Sequence, residues 1–203
     1  PNYSNDEDDV YNFFRWMIGY ALQGDPNKKI FFLLYGIRGF NGKSLSLNTI
    51  SEVLENYASS MDSSIILKSQ FKKTAGSHST ELIQLVNKRL GILNDVEEGR
   101  QLDDGKVKMI TGQTDKISAR EIYEKQIEFT PTFVPFINTN NIIHMNLLDK
   151  ALYNRLIIFP FHHSYLDDPN PNNPWERKSD IFLDSKFKKN KEGVLKWLIE
   201  CAI

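Results

Sequence analysis

The sequence predicts an α/β fold, a mostly parallel sheet flanked by helices, with further helical segments at both ends of the chain. Four continuous apolar runs of strand length predict the sheet: KIFFLLYG, RLGILND, TFVPFINTN and RLIIFPF. Strands that are apolar at consecutive positions are buried on both faces, as in parallel sheets covered by helices. Segments with helical spacing lie between these runs, and that alternation gives an α/β layer arrangement.

Taken in order, DDVYNFFRWMIGYALQG places Val10, Phe13, Phe14, Met17, Ile18 and Ala21 at helical spacing and stops at Gly24. After the turn DPNKK comes the first strand, then a glycine-rich stretch, then SLSLNTISEVLENYA as a helix. STELIQLVN reads as helical, RLGILND as a strand that ends in an acid, and LDDGKVKMIT as a helix. KISAREIYEKQIEF alternates as a hairpin does, with its tip near Glu124 and Lys125. TFVPFINTN is a strand ending in polar residues, LLDKALYN a short helix and RLIIFPF a last strand. DDPNPNNPWERK reads as proline- and asparagine-rich loop, and SDIFLDSKFKKNKEGVLKWLIECAI closes in helices. The expected organisation is an amino-terminal helical segment over 1–28, a core over 29–161, and a carboxyl-terminal loop with helices over 162–203. Internal repeats and a second core are absent from the pattern.

The 203 residues, 40% hydrophobic and 25% charged, suffice for one domain with a real core. No run approaches the roughly 18 apolar residues of a membrane span, and PNYSNDEDDV lacks the regions of a signal peptide. The start at Pro1 is what a piece cut from a longer chain would have. One cysteine, Cys201, excludes an intrachain disulfide. His78, His144, His162 and His163 have no metal or triad spacing and read as structural or surface histidines. The 25 basic residues against 26 acidic ones leave a net charge of −1 and no bulk field for nucleic acid, so any such contact must rest on a few local groups.

The stretch YGIRGFNGKS carries the chemistry. A phosphate-binding loop needs backbone N–H groups converging on one concavity, small residues that let the backbone approach, and a helix amino terminus. Gly39, Gly42 and Lys43, directly before a predicted helix, meet those needs; Lys43 would reach terminal phosphates and the Ser44 hydroxyl would ligand Mg²⁺. The usual first glycine of G-x-x-x-x-G-K-[ST] falls on Ile37, with Gly36 one place earlier. Nucleotide hydrolysis also needs an acid beside the loop, and Asp95, Glu97 and Glu98 follow the strand RLGILND where α/β sheets bind ligands. Asn138, Thr139 and Asn140 close a third strand, and Arg155 precedes the last one.

In their order, YGIRGFNGKS, NKRLGILNDVEEG, KMITGQTDKISAREIYEKQIEFTPTFVPFINTN and DKALYNRLIIFPF resemble the superfamily 3 helicase domain, an AAA+ phosphate-loop NTPase, of poxvirus-type and satellite-phage or plasmid primase-helicases. The resemblance runs from Gly19 to Ile199. It implies ATP and Mg²⁺, with Gly36, Gly39, Asn41, Gly42, Lys43, Ser44 and Leu45 around the nucleotide. Ser44, Asp95 and Glu97 would lie near the metal. The family's acidic motif opens on glutamate where this chain has Asp95, so which acid touches the metal and which the water stays open, with Glu98 the third. The resemblance makes Asn140 the γ-phosphate sensor and Arg155 the arginine finger reaching a neighbour's site. Lys108, Lys116, Arg120, Tyr123 and Lys125 would contact single-stranded DNA, Lys125 from the hairpin tip in a ring's channel. The implied partners are single-stranded DNA, further copies in a hexamer and an upstream primase domain, with no membrane. The implied location is intracellular, in host cytoplasm or a viral replication site. Near-neutral charge is compatible with a ring, because six copies of one lysine focus their field in a narrow channel. Two other classes stay open: a nucleotide-binding ring-assembly module without unwinding, and a small-molecule phosphotransferase, which would need an arginine-rich lid.

Overall fold

The computed structural model describes residues 7–69, 80–112, 114–120, 124–146 and 148–203. The chain enters through α1 (Glu7–Leu22), β1 (Phe31–Tyr35) and α2 (Lys43–Leu54), followed by β2 (Ala58–Ser60), α3 (Thr80–Ile83) and β3 (Leu90–Asn94). It continues through α4 (Asp104–Ile110), the strands β4 (Ile117–Ala119) and β5 (Ile127–Phe129), β6 (Val134–Thr139), α5 (Lys150–Tyr153) and β7 (Leu156–Pro160). The last elements are β8 (Ser164–Leu166), β9 (Glu176–Lys178), α6 (Leu183–Lys189) and α7 (Lys191–Ala202).

The four apolar runs are strands of one five-stranded sheet, ordered β2-β3-β6-β1-β7 with every pair parallel. The two-residue period of a strand divides their side chains between two cores. Phe32 and Leu34 of β1, Leu90 and Ile92 of β3 and Val134 and Phe136 of β6 pack with Met17, Ile18, Leu47 and Leu198 of α1, α2 and α7. Phe31, Leu93 and Ile137 face the other way, toward Leu82, Val107, Ile110 and Leu152. Pro135 stands inside a central strand, where a missing N–H normally costs a ladder bond. Val134 donates its N–H to Arg89 O on the β3 side, so position 135 turns toward β1, whose pairing begins only at Phe136.

The ends of the chain meet. α1 packs along α7, Phe14 stacks on Trp197 at 6.2 Å, and Trp197 Nε1 donates to Tyr11 Oη at 2.8 Å. Gly19 sits at the closest approach, where an added Cβ would lie 1.7 Å from Cys201 O.

Three local expectations are corrected. The helix read through Ala58 ends at Leu54 because Glu55 takes φ 47°, and Ala58–Ser60 become the edge strand β2. The helical reading of 79–87 shrinks to the single turn α3. The stretch read as loop over 167–178 contains β9, which pairs in parallel with β8, Ser164 opposite Glu176. The hairpin is present as β4 antiparallel to β5, Ile117 opposite Phe129. Tyr123 and His78 lie outside the described residues.

Gly19→Ala is expected to lower stability by about 1–3 kcal/mol, the usual cost of overpacking, outweighing the helix-propensity gain of about 1 kcal/mol. A fall in the urea midpoint at unchanged slope checks it; an unchanged or raised midpoint would contradict so close a contact.

Candidate functional site

Because β6 lies between β1 and β3, three strand ends share one edge of the sheet: the glycine loop after β1, Asn138–Asn140 ending β6, and Asp95 after β3. Ligands of open α/β sheets bind at this carboxyl edge.

The loop closes around Lys43. Lys43 is buried, 5% exposed, and its ammonium donates to Asn41 Oδ1 at 3.1 Å and to Asn140 Oδ1. Burial pushes the Lys43 amine below the ordinary lysine value, and the negative charge of Asp95 pulls it back up. Gly36 is required for this arrangement: an added Cβ would sit 2.8 Å from Asn41 Oδ1 and 2.9 Å from Lys43 Nζ. The close-approach glycine is therefore at 36, and Ile37 turns outward, 78% exposed. Gly42 takes φ 83° at the start of α2, and no side chain caps that helix. Its first amides thus stay available to an acceptor from outside. Gly39 has open space about its Cα, Leu45 is half-buried in the first turn, and Phe40 is exposed with φ 61°.

Asn138, 2% exposed, joins three elements: its Nδ2 donates to Ser44 Oγ at 3.0 Å and to Asn94 Oδ1 at 2.9 Å. The alternation of β6 contained the signal, since position 138 is in phase with Val134 and Phe136, which face α2. Asn94 is likewise in phase with Leu90 and Ile92, and it pairs in register with Asn138. Asp95 follows in the left-handed region at φ 54°, its N–H bonded to Asn138 O at 3.0 Å. Glu97 pairs with Arg100 at 3.1 Å, and Glu98 is exposed in the same turn. Of the three acids, Asp95 is the one whose charge bears on Lys43.

The other candidates lie elsewhere. Arg155 stands at the amino end of β7, opposite edge to the loop, since Leu156 pairs with Phe31. The five residues of β1 separate it from its own loop by roughly 16 Å at about 3.3 Å per residue. Its Nε donates to Thr111 Oγ1 at 3.1 Å and its Nη1 to Ala151 O. Lys108 is ion-paired with Asp149, which caps α5 by accepting from Ala151 and Leu152 N–H; hydrogen bonds and that ammonium hold the Asp149 carboxyl below its ordinary value. Lys116, Arg120 and Lys125 are exposed on the β4–β5 hairpin.

Among the described residues, no cluster of three or more His, Cys, Asp or Glu side chains that could hold a metal ion occurs. A buried ammonium, uncapped helix amides and a glycine-lined approach have the donor set for phosphate. No helix among the described residues is long and apolar enough to cross a membrane.

A family model matches residues 34–155, from the end of β1 through the loop, the acids and the hairpin to Arg155. The chain belongs to DUF5906, a family of unknown function. This DUF5906 chain is 24% identical over 192 residues to "Putative helicase L207/L206" of Acanthamoeba polyphaga mimivirus, 91% of this chain and 20% of that protein. It is 28% identical over 156 residues to "Putative primase C962R" of African swine fever virus, 75% of this chain and 16% of that protein. Against "Putative helicase V13" of Sputnik virophage it is 30% identical over 105 residues, 51% of this chain and 14% of that protein. It spans a fifth or less of each of these relatives. Its fold matches the NrS-1 C terminal region in an apo structure with a TM-score of 0.61, at 19% identity over 95% of this chain and 41% of that one.

Replacing Asp95 by Asn removes the charge that favours the Lys43 ammonium, so the Lys43 pKa is expected to fall further. An NMR pH titration of lysine Nζ groups, assigned with Lys43→Arg, checks this; an unmoved Lys43 would mean that Asp95 does not face it.

Proposed function

We propose that this chain is the ATP-hydrolysing helicase domain of a viral-type primase-helicase, of the superfamily 3 AAA+ kind, moving along single-stranded DNA as a ring. The convergence of the buried Lys43, Asn140 and Asp95 at one sheet edge carries the reading. The viral relatives named as helicases and a primase support the same class of activity, in replication inside the cell.

On this reading the loop amides from Gly39 to Ser44 and the Lys43 ammonium bind the phosphates of ATP. Asn140, already bonded to Lys43, senses the γ-phosphate. Ser44 and Asp95 hold Mg²⁺, which would offset the charge of the phosphates. Glu97, tied to Arg100 and exposed, is the weaker metal candidate, and either Asp95 or Glu98 orients the attacking water. Arg155 acts in trans, because roughly a strand's length separates it from its own loop. In a ring it stabilises the charge developing on a neighbour's nucleotide. Lys125, Lys116 and Arg120 grip the DNA backbone; Lys108, committed to Asp149, leaves that set.

The test is ATP hydrolysis with and without single-stranded DNA. Turnover that rises with DNA and disappears in Lys43→Ala supports the reading; turnover indifferent to Lys43 overturns it, and nucleotide-dependent assembly without DNA stimulation favours the ring-assembly module. Arg155→Ala is expected to lower turnover on the order of 10³-fold with ATP binding kept. Lys125→Ala should weaken DNA binding and unwinding while basal hydrolysis persists, and an equal loss of both would remove the hairpin from the DNA path.

A further inference from the structure

Asn41 is 5% exposed, and its amide is fully engaged within the chain. Its Oδ1 accepts from Lys43 Nζ at 3.1 Å, while its Nδ2 donates to His163 O at 2.9 Å and Phe161 O at 3.3 Å. The same two stretches are laced together on either side. Phe161 N–H donates to Tyr35 O at 2.7 Å, at the mouth of the loop, and Tyr165 N–H donates to Phe40 O at 2.9 Å, where the backbone is in the left-handed region. A bulky residue at positive φ is strained unless its surroundings hold it, and this bond from β8 is one of the holds. Segment 161–165 therefore fixes the loop, with Asn41 as the junction.

That segment is the exit of β7, whose entrance is Arg155, and it leads into the β8–β9 pair through Ser164 N–H to Trp175 O at 2.8 Å. A single strand thus has the loop's lysine linked to one end and the arginine at the other.

We infer that Asn41 is a positioning residue rather than a phosphate ligand, holding Lys43 in place and transmitting phosphate occupancy of the loop to segment 161–165 at the exit of β7. The inference rests on the nucleotide reading above. An amide with both donor hydrogens and its acceptor committed has little left for a phosphate, and an acceptor facing Lys43 orients that ammonium by default. A phosphate arriving at Lys43 and the loop amides fixes the loop; Asn41 then fixes the two carbonyls, and the physical coupling runs through these hydrogen bonds.

Hydrogen exchange of the peptide containing 161–165, in the presence and absence of MgATP, reads this directly. In the wild-type chain, saturating nucleotide is expected to slow exchange there about tenfold or more, local opening being suppressed by the ordering of the loop. Asn41→Ala should still bind nucleotide, lose most of that protection, and lower kcat on the order of tenfold with KM much less affected, as misplacement of a reacting group does. Asn41→Asp keeps an acceptor for Lys43 but has no hydrogens for the two carbonyls, and it should lose the protection as well. Protection that survives in both variants overturns the relay. An Asn41→Ala defect confined to nucleotide affinity, with kcat intact, overturns the positioning role and makes Asn41 a ligand. A wild-type chain that binds no nucleotide removes the reading on which the inference rests.

Discussion

One buried ammonium organises the carboxyl edge of this sheet. Removing a charge from water costs several kcal/mol unless polar partners replace the lost solvent. Lys43 gathers those partners from three strand ends: Asn41 from the loop after β1, Asn140 after β6, and the field of Asp95 after β3. Gly36 leaves room for that ammonium, since an added Cβ would lie 2.9 Å from Lys43 Nζ and push it aside. The Ser44–Asn138–Asn94 chain next to it ties α2 to β6 and β3. A group buried at this cost, with its own helix uncapped, is poised to exchange side-chain acceptors for a stronger anion.

The strand order makes this convergence possible. Insertion of β6 between β1 and β3 brings two sequence-distant polar ends alongside the loop, while β7, on the other side of β1, begins at the opposite edge with Arg155. The site and the arginine thus lie at opposite ends of neighbouring strands. On the proposed reading a catalytic role for Arg155 falls to a second copy, and the small β8–β9 sheet, beyond the exit of β7, becomes part of the loop's support.

Much of this was legible in the residues. The three central strands, β1, β3 and β6, declare themselves by unbroken apolar runs, which double-sided burial explains; β7 has the same kind of run but is an edge strand with Ile158 exposed. The loop and acid follow from their places between strand and helix. β2 escaped notice because Ala58, Ser59 and Ser60 have no apolar signal; an edge strand is made by its neighbour β3 and not by its own sequence. β9 is a charged stretch, Glu176–Lys178, formed by pairing with β8, and its composition reads as loop. The helix after 79 shortened because tertiary packing, not periodicity, sets so short an element. The Asn138 bridge was readable only with strand parity and register together. The roles of the Phe161 and His163 carbonyls were out of reach, because backbone acceptors leave no mark on the sequence.

The most direct measurement is calorimetric binding of MgATP to this chain and to Lys43→Ala. The account predicts one site per chain in the first and binding weakened about tenfold or more in the second, an effect of at least 1.4 kcal/mol. Equal affinity in the two proteins, or no binding by the unaltered chain, would contradict the claim that this buried lysine and its loop form a phosphate site.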